Sequence, residues 1–261
     1  MATAARPARP DLPPALSTVA PIIDTESFEY RHGDIVFDGA LVADRDVDAD
    51  RRPAVLVLEG IEGRTEVQVD VARRLATQGY LGVAVDLFGG KRLVPGRSAA
   101  PSSCRSSSRT AMRCAGACCT WLDVVRSRAG VDPDRVATIG FCFGGLCVLD
   151  LARAGAEVSA VASSHGLLTP PGLTPGTPIT ARVAVFHGWE DPFATCRRHS
   201  PRRGADPTWR RLAGSRPRPR HARLHGRDSG RPRGPHPVRP GRRTPAWASL
   251  EWFLTEAFAV P

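Results

Sequence analysis

Short apolar runs, each closed by polar or glycine residues, recur along this chain of 261 residues. Ala54–Leu58 is apolar without a break, as a strand buried on both faces must be. Leu81–Val85, Arg135–Ile139, Val158–Ala162 and Arg182–Phe186 have the same length and β-branched content, and are predicted as further strands. Between them the period changes. Residues 67, 69, 71, 72 and 75 are apolar and Gly79 follows, which predicts a helix over Val67–Gln78. Leu146–Arg153 reads as a second helix and Trp247–Phe258 as an amphipathic closing one. Near the start, Phe28–Tyr30 and Asp34–Phe37 lead into Asp38-Gly39, a hairpin-turn dipeptide, and then Ala40–Ala43. Alternating strands and helices predict an α/β fold: a mostly parallel sheet covered on both faces, with its chemistry beyond the strand C-termini.

Two stretches lack this patterning. Residues 97–120 and 196–244 are expected to be irregular, and residues 1–24, rich in Ala and Pro, form a loose, disordered tail ahead of a single domain over 25–261. Charge follows the same division. The chain carries +10 overall, but residues 197–243 hold 16 Arg against 2 Asp, so the remainder is mildly acidic. The basic total therefore describes one segment and is not a property of the fold. Seven Cys in a chain of this size are not a disulfide framework, and no apolar leader segment opens the sequence. No run approaches the ~18 apolar residues of a membrane span. A cytoplasmic monomer is the expectation.

The chemistry concentrates in Gly140-Phe141-Cys142-Phe143-Gly144-Gly145. A strand, then G-x-C-x-G, then a helix is the nucleophile-elbow pattern with Cys in the place of Ser. So sharp a turn leaves no room for a Cβ on the flanking positions and strains the nucleophile's own backbone. The following helix aims its N-terminal N–H groups at the sulfur and stabilises negative charge there. The bland reading is a small buried Cys beside a tight turn, and a lone motif of this length favours it. A second signal opposes that reading. Val183–Phe186 runs into His187-Gly188-Trp189-Glu190-Asp191-Pro192, which places an acid just past a strand end. The order nucleophile then acid, Cys142 then Asp191, fits a triad of this fold type. His187 and His165, each at a strand end, are read as structural.

On these residues the chain resembles the dienelactone hydrolase family. The likeness extends to Ala72-Arg73-Arg74-Leu75-Ala76 and Gly79-Tyr80, and covers about residues 25–95, 120–195 and 245–259. The resemblance implies an α/β-hydrolase fold and a Cys-His-Asp triad hydrolysing enol lactones or related small carboxylic esters, with no metal and no organic cofactor. It places the nucleophile at Cys142 and the acid at Asp191. It also implies a carboxylate partner for the resting thiol in Glu59-Gly60-Ile61-Glu62-Gly63, of which Glu62, next to Gly63, is preferred. Oxyanion-hole N–H groups are expected from Phe143 and from Ile61 in that loop.

The family's catalytic His falls within the Arg/Pro-rich stretch, where His221 stands nearest the expected position. His221–His225 can be encoded so that a one-base shift reads Met-His-Ala-Phe, which resembles the family's His segment. Residues 109–120 can likewise be encoded to give an amphipathic helix two bases later. Compensated frameshifts would account for both stretches. They would also make Cys104, Cys114, Cys118 and Cys119 by-products instead of metal ligands, for which no His/Cys pairing is present. Two other readings follow from the same segment: a catalytically inactive hydrolase-fold protein, and a polyanion binder. The arm has a single aromatic, Trp209, for base stacking and no recognisable module, so nucleic-acid contact is expected only as nonspecific charge attraction.

Overall fold

A computed structural model describes residues 21–47, 51–89, 118–168, 178–187 and 245–259. The strands are β1 (Ile23–His32), β2 (Ile35–Asp44), β3 (Arg52–Leu58), β4 (Leu81–Ala84), β5 (Val131–Phe141), β6 (Ala160–Ser164) and β7 (Arg182–Phe186). The helices are α1 (Glu66–Ala76), α2 (118–126), α3 (Phe143–Arg153) and α4 (Pro245–Phe258). The strands form one sheet in the order β1-β2-β4-β3-β5-β6-β7. β1 and β2 are antiparallel, β2 meets β4 antiparallel, and every pair from β4 to β7 is parallel. This is the mostly parallel α/β sheet expected from the pattern, in the α/β-hydrolase arrangement that the family resemblance implies.

The period of two along each strand separates two cores. Leu56 and Leu58 face a cluster with Trp121, Leu122 and Val125 of α2 and Val148 and Leu151 of α3. Val55 and Val57 face the other, with Val69, Ala72 and Leu75 of α1 and Leu250 and Leu254 of α4. α1 starts at a capping box, in which Thr65 and Gln68 satisfy each other's backbone N–H groups. No helix among the described residues is long and apolar enough to cross a membrane.

Three expectations need correction. Asp38-Gly39 is not a turn but lies mid-strand in β2, opposite Phe28 and Glu29. The hairpin turns at Gly33-Asp34, with Gly33 at φ 60. That is the first central position of a two-residue loop, where a primed turn takes glycine. Gly39 is glycine for a tertiary reason: a Cβ there would overlap the ring of Trp121. Residues 118–120, assigned above to an irregular stretch, are helical, because Cys118, Trp121, Leu122 and Val125 form one buried stripe. Lastly, β1 begins at Ile23, inside the segment assigned to the tail. The rest of both irregular stretches lies outside the described residues.

Candidate active site

β5 runs into α3 at Cys142, whose backbone sits at φ 54, ψ −111. A non-glycine residue there is strained, and strain of this kind is found where the surrounding structure over-determines it. The surroundings do so here. Cys142 N–H donates to Ser164 O at 3.1 Å, and Cys142 O accepts from Leu146 N–H at 3.3 Å as α3 begins. A Cβ on Gly140 would overlap Gly144 O. One on Gly144 would stand 2.5 Å from Glu59 O, and one on Gly145 2.7 Å from Ser163 Oγ. The glycines are thus required by close approach of β5, α3, β6 and the end of β3. Cys142 is half-buried, while Cys118 and Cys147 are buried.

The loop after β3 forms one wall. Leu58 pairs with Gly140, so Glu59 emerges from the sheet beside the elbow, and an ideal Cβ on Gly60 would lie 3.7 Å from Cys142 Cβ. Glu59 is fully buried. Its Oε1 accepts from Leu87 N–H at 2.9 Å, and Oε2 has no hydrogen-bond partner among the described residues. Burial pushes its carboxyl up to about 9, and Asp86 adds to this, while the Leu87 N–H and Arg64 oppose it. It is therefore protonated at neutral pH.

The turn after β4 supports this wall. Asp86 Oδ1 accepts from Phe88 N–H at 3.0 Å and Gly89 N–H at 2.8 Å. Phe88 stacks on Phe143, the residue after Cys142, with ring centroids 5.5 Å apart. A family model for the dienelactone hydrolases matches residues 37–201, a span that holds the β3 loop, the Asp86 turn and the elbow.

The chain belongs to the dienelactone hydrolase family.

Among solved structures, one described as m3DLH is 32% identical, with a TM-score of 0.55 over 66% of this chain and 72% of that one. A dienelactone hydrolase-like promiscuous phosphotriesterase from metagenomic libraries is 30% identical, with a TM-score of 0.56 over the same shares. An uncharacterised Caenorhabditis elegans protein is 46% identical over 75 residues, which are 27% of this chain and 46% of that one. The chain thus spans about half the length of that curated relative.

Of the site residues expected for a dienelactone hydrolase, the structure brings together Cys142, Phe143 and the β3 loop. Glu62 is not part of the cluster. It is exposed, and the buried carboxylate of its loop is Glu59, because the last residue of β3 is followed directly by a position enclosed under the Leu87 N–H. Ile61 packs its side chain on the core, and the loop residue against Cys142 is Gly60. Asp191 and His221 lie outside the described residues. Asp86 was missed from sequence; its one local signal is the Asp-x-x-Gly spacing of a side-chain-capped turn before Gly89. Among the described residues no group of His, Cys, Asp or Glu could hold a metal ion.

Proposed function

We propose that this protein hydrolyses small carboxylic esters or lactones, with Cys142 as nucleophile. The single observation that carries this reading is the backbone of Cys142: φ 54 at a strand-to-helix turn enclosed by three glycines, which presents the sulfur at the C-terminal edge of the sheet. Cys142 Sγ attacks the carbonyl carbon, and the oxyanion is met by Phe143 N–H and an N–H of the Gly60–Ile61 loop. An imidazole takes the thiol proton and passes it to the leaving oxygen as the C–O bond breaks. Water, deprotonated by the same imidazole, then cleaves the thioester and releases the acid and the free thiol. Asp191 is assigned to orient that imidazole, which belongs to the segment that reads as the His221 neighbourhood; with that segment out of frame this chain lacks a placed base, and its turnover is impaired. Glu59 takes the part expected above of Glu62, as the carboxyl beside the resting thiol. None of the four described cysteines is in a disulfide, which supports a reducing, cytoplasmic setting.

The test is turnover of 4-nitrophenyl acetate and an enol lactone by the chain, by Cys142→Ala, and by a chain whose Arg/Pro-rich segment is replaced by its shifted reading with Met-His-Ala-Phe. Restoring the base should raise kcat on the order of 10²–10⁴-fold, and Cys142→Ala should abolish the gain. If the unrepaired chain matches the repaired one, a working base is already present and the frameshift account is wrong. If no version turns over any ester, the hydrolase reading fails.

A further inference from the structure

Behind the β3 loop lies a polar assembly that the reaction above does not use. Asp38 and Asp86 are both buried in an otherwise apolar core. Asp38 N–H donates to Asp86 Oδ2 at 3.3 Å, and Ser27 Oγ donates to Asp38 Oδ1 at 3.0 Å. Arg64, next to the α1 cap, forms an ion pair with the Asp38 carboxylate and donates from Nε to Asp38 O at 3.1 Å. Trp121 Nε1, fully buried, donates to Asp86 O at 2.9 Å. Asp86 is thus held from β2 and from α2, and it holds in turn the two N–H groups of Phe88 and Gly89. Between them runs Leu87, whose N–H is the donor to Glu59. Gly89 has φ 75, and a Cβ there would stand 2.3 Å from Ile35 Cγ2.

We propose that Asp86 is a positioning residue of this site: through the main chain of residues 87–89 it places the Leu87 N–H on Glu59 and the Phe88 ring on Phe143. This rests on the reading of Cys142 and Glu59 given above. One carboxylate thereby sets two sides of the nucleophile. It locates the acid on the β3 side and braces the first residue of α3, whose N–H faces the oxyanion. Its charge acts as well. The groups bearing on Glu59 among the described residues are Asp86 after β4, which holds its proton on, and Arg64 from the β3–α1 loop, which opposes this and is itself paired with Asp38 of β2; Cys142 lies on the elbow side. Burying three carboxyls around one guanidinium is costly unless each is tied down, and hydrogen bonds to Asp86 and Asp38 do this.

The experiment follows the pH dependence of Cys142 alkylation by iodoacetamide, read by peptide mass spectrometry, so it does not depend on ester turnover. The full chain is compared with Asp86→Asn, Glu59→Gln and Phe88→Leu. Asn keeps an acceptor for the Phe88 and Gly89 N–H groups but removes the charge. The wild-type profile should carry an inflection that Glu59→Gln abolishes, and Asp86→Asn should move that inflection down by about one pH unit. Phe88→Leu keeps every Asp86 hydrogen bond. It should slow Cys142 alkylation several-fold and leave the inflection in place. An Asp86→Asn profile superimposable on wild type, with Glu59→Gln altered, overturns the proposal and spares the Glu59 reading. If neither variant changes the profile, both fall. Should Asp86→Asn not fold, an unchanged Phe88→Leu alkylation rate overturns the positioning role alone.

Discussion

Cys142 and His165 occupy equivalent places on neighbouring strands. Each stands one residue past the last register pair of β5 and β6, Phe141 with Ser164, and each has a positive φ, 54 and 43. They are the only non-glycine residues with positive φ among those described. Their N–H groups continue the ladder outward: Cys142 N–H donates to Ser164 O, and His165 N–H donates to Phe186 O at 2.8 Å. The left-handed turn at His165 thus lets β6 leave the sheet without vacating the carbonyl that anchors Cys142.

Because His165 is exposed and strained, glycine should fit its backbone without loss. His165→Gly is expected to leave stability within about 1 kcal/mol of wild type, while His165→Val, β-branched at the same φ, should cost about 1–3 kcal/mol. Urea denaturation of both variants measures this. Equal losses would show that the side chain, and not the backbone, decides the position.

Glycines of the elbow should be far less replaceable than a glycine that only needs its φ. Gly144→Ala places a Cβ 2.5 Å from Glu59 O and 2.8 Å from Leu58 O, with backbone on every side. A loss of more than 2 kcal/mol and of Cys142 reactivity is expected. Gly79, at φ 85, has nothing within 4 Å of its Cβ position, so Gly79→Ala should cost about 1 kcal/mol and leave the thiol as reactive as before. Denaturation and alkylation rates on the same samples separate the two effects.

Cys142 should be alkylated first of the four described thiols under substoichiometric iodoacetamide at pH 7. Cys118 and Cys147 are buried, which leaves Cys119 as the competitor by exposure. Desolvation pushes the Cys119 thiol up, and Asp123 adds to this while Arg126 opposes it, so the reactive thiolate is scarce there. Mass spectrometry that found Cys119 modified ahead of Cys142 would count against the elbow.

Glu59 makes stability depend on pH with a definite sign. Its folded carboxyl titrates near 9, well above its unfolded value, so between the ordinary carboxylate range and pH 9 the folded state binds the extra proton. In that window stability must fall as pH rises, by up to about 1.4 kcal/mol per pH unit from this group. Glu59→Gln removes the dependence. Urea melts at pH 6 and pH 8 should show the variant gaining on wild type at the higher pH. A constant difference between the two would mean that Glu59 is ionised in the folded protein at both.

What the sequence disclosed, and what it hid, divides by range of interaction. The elbow was legible because Gly140, Cys142 and Gly144 stand within five residues and the approach of Gly140 to Gly144 O is made inside that string, and the strands because a run buried on both faces has no polar break. Asp38-Gly39 misled because the dipeptide's local meaning is a turn, whereas its actual partners, Arg64 and Trp121, lie 26 and 82 residues further along the chain. Glu59 and Glu62 are equivalent in composition and separated only by burial, which depends on where Leu87 comes to rest. Asp86 had only the Asp-x-x-Gly spacing before Gly89 to mark it, because its other partners, Asp38 and Trp121, lie 48 and 35 residues away.

The enclosure of Gly144 by Leu58 O and Glu59 O also has a kinetic meaning. Cys142 can take up its pose only after two strands that are far apart in the chain, β3 and β5, have paired and α3 has docked on them. Contacts of such large sequence separation form late, once loop closure has been offset by the rest of the sheet. A partly folded chain therefore has an ordinary cysteine, and the reactivity expected of Cys142 should arrive together with the completed sheet. Its alkylation rate during refolding would serve as a clock for the last cooperative step.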